Sequence, residues 1–194
     1  MSYHVYTTDG IVIKRTPFGE ANVLLHILTS DLGLIVASAR SVRLSVSKLR
    51  PSLQEGSCVS VSCVRGKGGW KITNVASKES FFFSYPEHTH KIVYRVYSIL
   101  LKMIMGEVPD KKLYLIVNNG LTQLKSLDKE YMQNFEVLII LRILNQLGYV
   151  GSNSSIEKYL VDKDDWGIHT LKQIDLERTS IVEVINKALK ESQL

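Results

Sequence analysis

The stretch from Ser38 to Gln54, SARSVRLSVSKLRPSLQ, holds Arg40, Arg43, Lys48 and Arg50 and no acidic residue. The acid-free span is wider still, running from Leu32 to Gln54 between Asp31 and Glu55. Cations spaced by Ser, Val and Leu do not form a dry core, because an unpaired buried charge costs too much. The chemistry open to them is phosphate contact, as an extended rim of positive groups facing a polyanion. Arg65, Lys67 and Lys71 form a second cluster around the tip Gly66-Lys67-Gly68-Gly69, and Lys14 and Arg15 form a third. Phe18 and Trp70 offer stacking faces to nucleobases, and each reads equally well as core.

The balance of charge over the chain favours that reading over a merely solvated loop. Residues 1–85 carry ten Lys+Arg against five Asp+Glu, whereas residues 86–194 carry fourteen of each. The whole excess therefore sits in the first half, as in a basic binding module joined to a neutral one. Other constellations carry less. The glycine tip lacks the Lys-Ser/Thr and the strand-to-helix setting of a phosphate loop. His88 and His90 have only Glu87 nearby as a further ligand. Asp162, Asp164, Asp165 and Gly167 resemble the start of a calcium loop, but Trp166 replaces the position-five ligand and Gln173 stands where the closing bidentate Glu is needed, so a polar turn is expected. No Ser/His/Asp order, nucleophile elbow or carboxylate pair occurs. The expectation is a non-enzyme with no cofactor, metal or small-molecule substrate.

Cys58 and Cys63 are five apart, on opposite faces if they share a strand, and read as apolar fillers in a reducing compartment. No apolar run approaches the ~20 residues that span a bilayer. The start MSYHVYTTDG has neither a basic n-region nor an apolar h-region. A cytosolic protein without a membrane role is expected.

Positioning these side chains requires an α+β chain in two domains. Short strands with turn signals are expected at 11–13, 23–28, 34–39, 58–64 and 70–76, with a long connection between the third and fourth. Five such strands close as an antiparallel OB-fold barrel over residues 1–85. Its loops between strands one and two and between four and five border one groove, which would bring Lys14 and Arg15 to the same side as Arg65, Lys67 and Lys71. A helical domain follows over 86–194. Helices are expected at 91–105, 110–127 and 128–147, the last capped by Asp128 and closed by Gly148 at C′. Residues 150–178 are weakly patterned. The capping-box sequence Ser180-Ile181-Val182-Glu183 marks the start of a final helix.

At this point the chain resembles a known family, the RecO recombination mediators. The resemblance lies in Gly10-Ile11-Val12-Ile13-Lys14, Gly19-Glu20, Leu28-Thr29 and Leu32-Gly33. It continues through Ala39-Arg40, Arg43, Ser47-Lys48-Leu49-Arg50-Pro51 and Leu53-Gln54, then Phe135-Glu136, Leu141, Leu144 and Leu147-Gly148-Tyr149. It implies an N-terminal OB-fold, a helical second domain, and binding of single- and double-stranded DNA in the bacterial nucleoid. It also implies annealing of complementary strands, association with RecR, and loading of RecA onto strands coated by single-strand binding protein (SSB). Many members carry a four-cysteine zinc site after the Leu-Gly-Tyr motif. Here Val150-Gly151-Ser152-Asn153 follows without cysteine, so no zinc is expected.

The SSB tail is acidic with an apolar end, which calls for an apolar groove with a cation. Arg142, alone in an apolar run, is the candidate; Glu136 lies six residues away, out of reach within one helix, and an acid elsewhere in the domain is the alternative partner. Two other function classes compete with a mediator. A general single-strand nucleic-acid module would not anneal SSB-coated strands, and a protein–protein adaptor would show no salt-sensitive DNA binding.

Overall fold

The computed structural model describes residues 4–79, 85–151, 154–161 and 165–192; Ser84 of the expected junction and the aspartates Asp162 and Asp164 lie outside them. Strands β1 (Val5–Phe18), β2 (Asn22–Thr29), β3 (Gly33–Ala39), β4 (Cys58–Gly66) and β5 (Gly69–Glu79) close a barrel in the order β1-β2-β3-β5-β4. Every neighbouring pair is antiparallel except β3 and β5, which run parallel through Ala37–Trp70 and Ser38–Lys71. This is the five-stranded OB-fold expected from the alternation and turns, followed by the expected helices.

Alternation decides which side chains fill it. Val23, Leu25 and Ile27 of β2, Ile35, Ala37 and Ala39 of β3, and Val59, Val61 and Cys63 of β4 all point inward, as a period of two requires. Cys63 lies in the core and Cys58 is half-buried. β1 is much longer than its apolar centre predicts. Its first half pairs with β4, from Val5↔Val64 to Ile11↔Cys58, and its second half with β2, from Gly10↔Thr29 to Phe18↔Asn22. A register shift between Val12 and Lys14 bends it from one partner to the other.

Residues 40–57 run from β3 to β4 as a series of turns. Val42 and Leu53 are fully buried in the barrel core, so this segment plugs the barrel with its apolar side. Arg40, Arg43, Lys48 and Arg50 are left on the exposed side.

Contacts divide the chain into two units, residues 1–84 with 105–114, and residues 85–104 with 115–194. In the first, Gly33 holds φ +74°, and a Cβ there would lie 2.3 Å from the Val108 carbonyl oxygen. Only glycine lets the 105–114 segment lie that close to the β2–β3 turn. In chain order the helices are α1 (His90–Met103), α2 (Lys111–Leu124), α3 (Met132–Gln146), α4 (Ser154–Val161) and α5 (Ile168–Glu191).

Asp110 caps α2 by accepting from the Leu113 N–H at 2.9 Å. The cap expected from the sequence for the next helix is absent: Asp128 precedes a short 3-10 turn and makes no side-chain cap bond. α3 is buried nearly all round, as its apolar run predicts. It ends as expected at Gly148, φ +80°, where Gly148 N–H donates to Asn145 O at 3.0 Å and Tyr149 N–H to Leu144 O at 2.9 Å. Those two bonds are the Schellman pair. Nothing lies within 4 Å of a Cβ built there. Gly148→Ala is therefore expected to cost only the left-handed backbone, about 1–2 kcal/mol. Denaturant unfolding followed by far-UV circular dichroism reads this, and an unchanged stability would show the turn to be unstrained.

Two expectations fail in the weakly patterned region. Residues 150–178 contain α4 and the first half of α5. Ser180 does not start a helix; its hydroxyl donates back to Glu177 O at 2.8 Å inside α5. Leu171, Ile174, Ile181, Ile185 and Ala188 form one buried stripe along α5. The polar Arg178 occupies a position in that stripe and hides its period in the sequence. Its guanidinium donates to Gln133 Oε1 at 2.9 Å, so the position is satisfied by hydrogen bonding instead of apolar contact.

Candidate nucleic-acid interface

Register across the barrel assigns one outer face. With Leu25 and Val23 inside, Leu24 points out, and its row reads Thr16, Leu24, Ser38, Lys71 and Val64 across β1, β2, β3, β5 and β4. The row beside it pairs Lys14 with His26 and His26 with Val36. On the other side of Thr16, Phe18 lies opposite Asn22, and Arg40 follows two residues after Ser38, on the same face by alternation. Lys14, Phe18, Arg40 and Lys71 are all exposed, and none of the residues named on this face is acidic. Burial, and then the neighbouring Lys14 ammonium, push the His26 imidazole below its ordinary pKa. The positive charge of the face thus comes from Lys and Arg.

The other cations predicted from the sequence fall into distinct settings. Lys48 and Arg50 stand exposed on the plug, and Lys67 at the β4–β5 tip. Arg43 is engaged: its backbone N–H donates to Ala21 O at 2.9 Å, and its Nη1 to Gly19 O at 2.9 Å. Arg15 is half-buried; its backbone N–H donates to Glu55 Oε1 at 2.8 Å, and its Nε is buried. Arg65 pairs with Glu107 at 3.1 Å and lies 5.3 Å from the Trp70 ring centroid. Among the described residues, Lys14, Arg40, Lys48, Arg50, Lys67 and Lys71 make no ion pair.

Of the two aromatic candidates, Trp70 is core at 5% exposure, while Phe18 is 57% exposed. The parallel β3–β5 pairing turns Trp70 inward beside Ala37.

The family profile described as Recombination protein O N terminal matches residues 1–81. The first 81 residues are thus similar to the N-terminal domain of the RecO family. The DNA repair protein RecO of Dehalococcoides mccartyi is 41% identical over 78 residues, which cover 40% of this chain and 31% of that relative. RecO of Rubrobacter xylanophilus is 35% identical over 77 residues, 40% of this chain and 31% of the relative. RecO of Thermodesulfovibrio yellowstonii reaches into the helical unit, at 26% identity over 152 residues, 75% of this chain and 58% of the relative. The chain thus spans less than two thirds of these RecO relatives.

Arg142, expected at the edge of a groove, is not there. It is 1% exposed, its Nε donating to Tyr159 O at 3.0 Å and its Nη2 to Asp165 O at 2.8 Å. The guanidinium lies 4.4 Å from the Trp166 ring centroid. The helix that carries it is packed on all sides, and a buried cation must find its partners internally. Hydrogen bonds from Thr170 and Gly167, and then the Arg142 charge, hold the Asp165 carboxyl below its ordinary range despite partial burial.

A groove in the helical unit lies elsewhere. A cleft of about 820 Å³ opens between α1, α3 and α5, floored by Ile99, Met103, Val137, Ile140, Ile185 and Leu189. Arg95 and Lys102 stand on its α1 wall. Arg95 is already bonded to Glu136, whereas Lys102 makes no ion pair among the described residues. The sequence carries a signal for it, since Arg95 and Lys102 lie seven residues apart on one stripe of α1. Among the described residues no group of three or more His, Cys, Asp and Glu is placed to hold a metal, and no helix is long and apolar enough to cross a membrane.

Proposed function

We propose that this protein is a DNA repair and recombination mediator. It binds single- and double-stranded DNA on the barrel, anneals complementary strands, and with RecR helps load RecA onto SSB-coated DNA. The observation that carries this reading is the outer face of the barrel with the exposed Lys14, Arg40 and Lys71, together with the exposed Lys48 and Arg50 of the plug, none of them ion-paired among the described residues. Cations without internal partners gain most by neutralising phosphates and releasing counterions. The groove between α1, α3 and α5 supports an SSB tail site in place of Arg142, since it joins an apolar floor to the Lys102 ammonium.

The test is annealing of SSB-coated complementary strands by the purified protein, with and without RecR. Annealing of coated strands is expected, and RecA loading is expected to require RecR. Annealing of bare strands alone would leave a general single-strand binder and overturn the mediator reading. Lys102→Glu is expected to weaken an SSB tail peptide by about tenfold or more, because a hydrogen bond to a charged group contributes about 1.5–3 kcal/mol. DNA binding by the same variant should be unchanged. Equal peptide affinity for variant and parent would remove the groove from the proposal.

A further inference from the structure

We propose that Phe18 is a stacking subsite for one unpaired nucleobase, and that Arg43 is a positioning residue for it instead of a phosphate contact. This deepens the reading of the barrel face as a DNA site and rests on it.

Phe18 ends β1 with 57% of its surface in water, on the face that carries Lys14 and Arg40. The β1–β2 turn that follows is held from outside by the plug. Ser41 N–H donates to Asn22 Oδ1 at 3.0 Å, Arg43 N–H to Ala21 O at 2.9 Å, and Arg43 Nη1 to Gly19 O at 2.9 Å. Gly19 sits at φ +60°, and Ser41 is the one described non-glycine residue at positive φ, +57°. A serine in that region is disfavoured and persists where its surroundings hold it. Three bonds thus lock both sides of a turn whose outward aromatic packs into no core. Fixing the backbone beside an exposed ring lowers the ordering cost that a ligand would otherwise meet on binding.

The flanking charge selects the ligand. Cations along β1 and at the end of β3 take phosphates, and an aromatic ring between them takes the π-face of a base. In a duplex the bases stack on one another and offer only their edges in the grooves. The subsite therefore selects single-stranded DNA.

The experiment measures binding of a thymidine oligomer and of an abasic strand of equal length across a salt series. Phe18→Ala is expected to weaken the thymidine oligomer about 5- to 150-fold, the range of one base–aromatic stack, with its salt slope kept. Binding of the abasic strand should hardly change, and Phe18→Tyr should restore the thymidine affinity. Arg43→Ala should show the Phe18→Ala pattern, and the double variant should be no weaker than the worse single one. Arg40→Ala, by contrast, should lower the slope on both strands by about 0.7.

Equal losses on both strands for Phe18→Ala, or no loss on either, would overturn the subsite. A lowered slope on both strands for Arg43→Ala would make Arg43 a phosphate contact. Arg43→Lys, which keeps the charge but not the bond geometry, separates the two roles: affinity should remain low if Arg43 positions and recover if it only neutralises. A parent protein that bound neither strand would overturn the DNA reading itself and the subsite with it.

Discussion

Raising the salt from about 50 to about 200 mM is expected to weaken single-stranded DNA binding about 100-fold, which is a slope of log K on log salt near −3.5 for about five neutralised phosphates. The cations available for this are Lys14, Arg40, Lys48, Arg50, Lys67 and Lys71, exposed and without ion pairs among the described residues. Arg65 adds less, because Glu107 already neutralises it at 3.1 Å. Arg50→Ala should reduce the slope by about 0.7 and weaken all sequences alike, since a phosphate contact carries no base information. Anisotropy titrations at several salt concentrations read the slope directly. A flat slope, or a variant that changed sequence preference while keeping the parent's slope, would rule out an electrostatic face.

Arg142→Ala is expected to destabilise the helical unit by about 2–6 kcal/mol, since two carbonyls each lose a donor at about 1–3 kcal/mol apiece. The substitution leaves the Tyr159 and Asp165 carbonyls without the donors that now reach them at 3.0 and 2.8 Å. It also empties the space over Trp166, whose ring packs against Phe135 at 5.4 Å between centroids. Arg142→Lys should recover little, because one ammonium cannot reproduce two donors aimed at separate carbonyls. Denaturant unfolding followed by circular dichroism measures the loss. A cost below about 1 kcal/mol, the level of a solvent-exposed pair, would show that these bonds contribute little.

The same cluster has a pH signature. The Asp165 carboxyl titrates lower in the folded protein than in the unfolded chain, so its contribution is full above the ordinary carboxylate range. It is lost as the pH falls through the lowered value.

Much of this architecture was legible in the chain itself. Val59, Val61 and Cys63 alternate with Ser60 and Ser62, and that period of two is imposed by the pleat of any strand. Gly148 closes α3 because a left-handed residue is needed at that step, whatever packs around it. The acid-free span marked the exposed cations for the same reason: an unpaired charge does not enter a core.

Tertiary structure decided which partner each side chain meets. Arg43 and Arg50 are alike in sequence, yet only Arg43 lies where the β1–β2 turn offers it a carbonyl. Trp70 and Phe18 both lie within a few residues of basic ones, but the parallel β3–β5 pairing turns Trp70 inward, while Phe18 at the end of β1 stays in water. Arg142 finds carbonyls contributed by Tyr159 and Asp165, 17 and 23 residues further along the chain. Periodicity and turn chemistry are local properties of the backbone and can be read from neighbours in sequence. The partner of a charge or a ring is set by which distant segments the fold brings within hydrogen-bonding reach, and no local pattern encodes that.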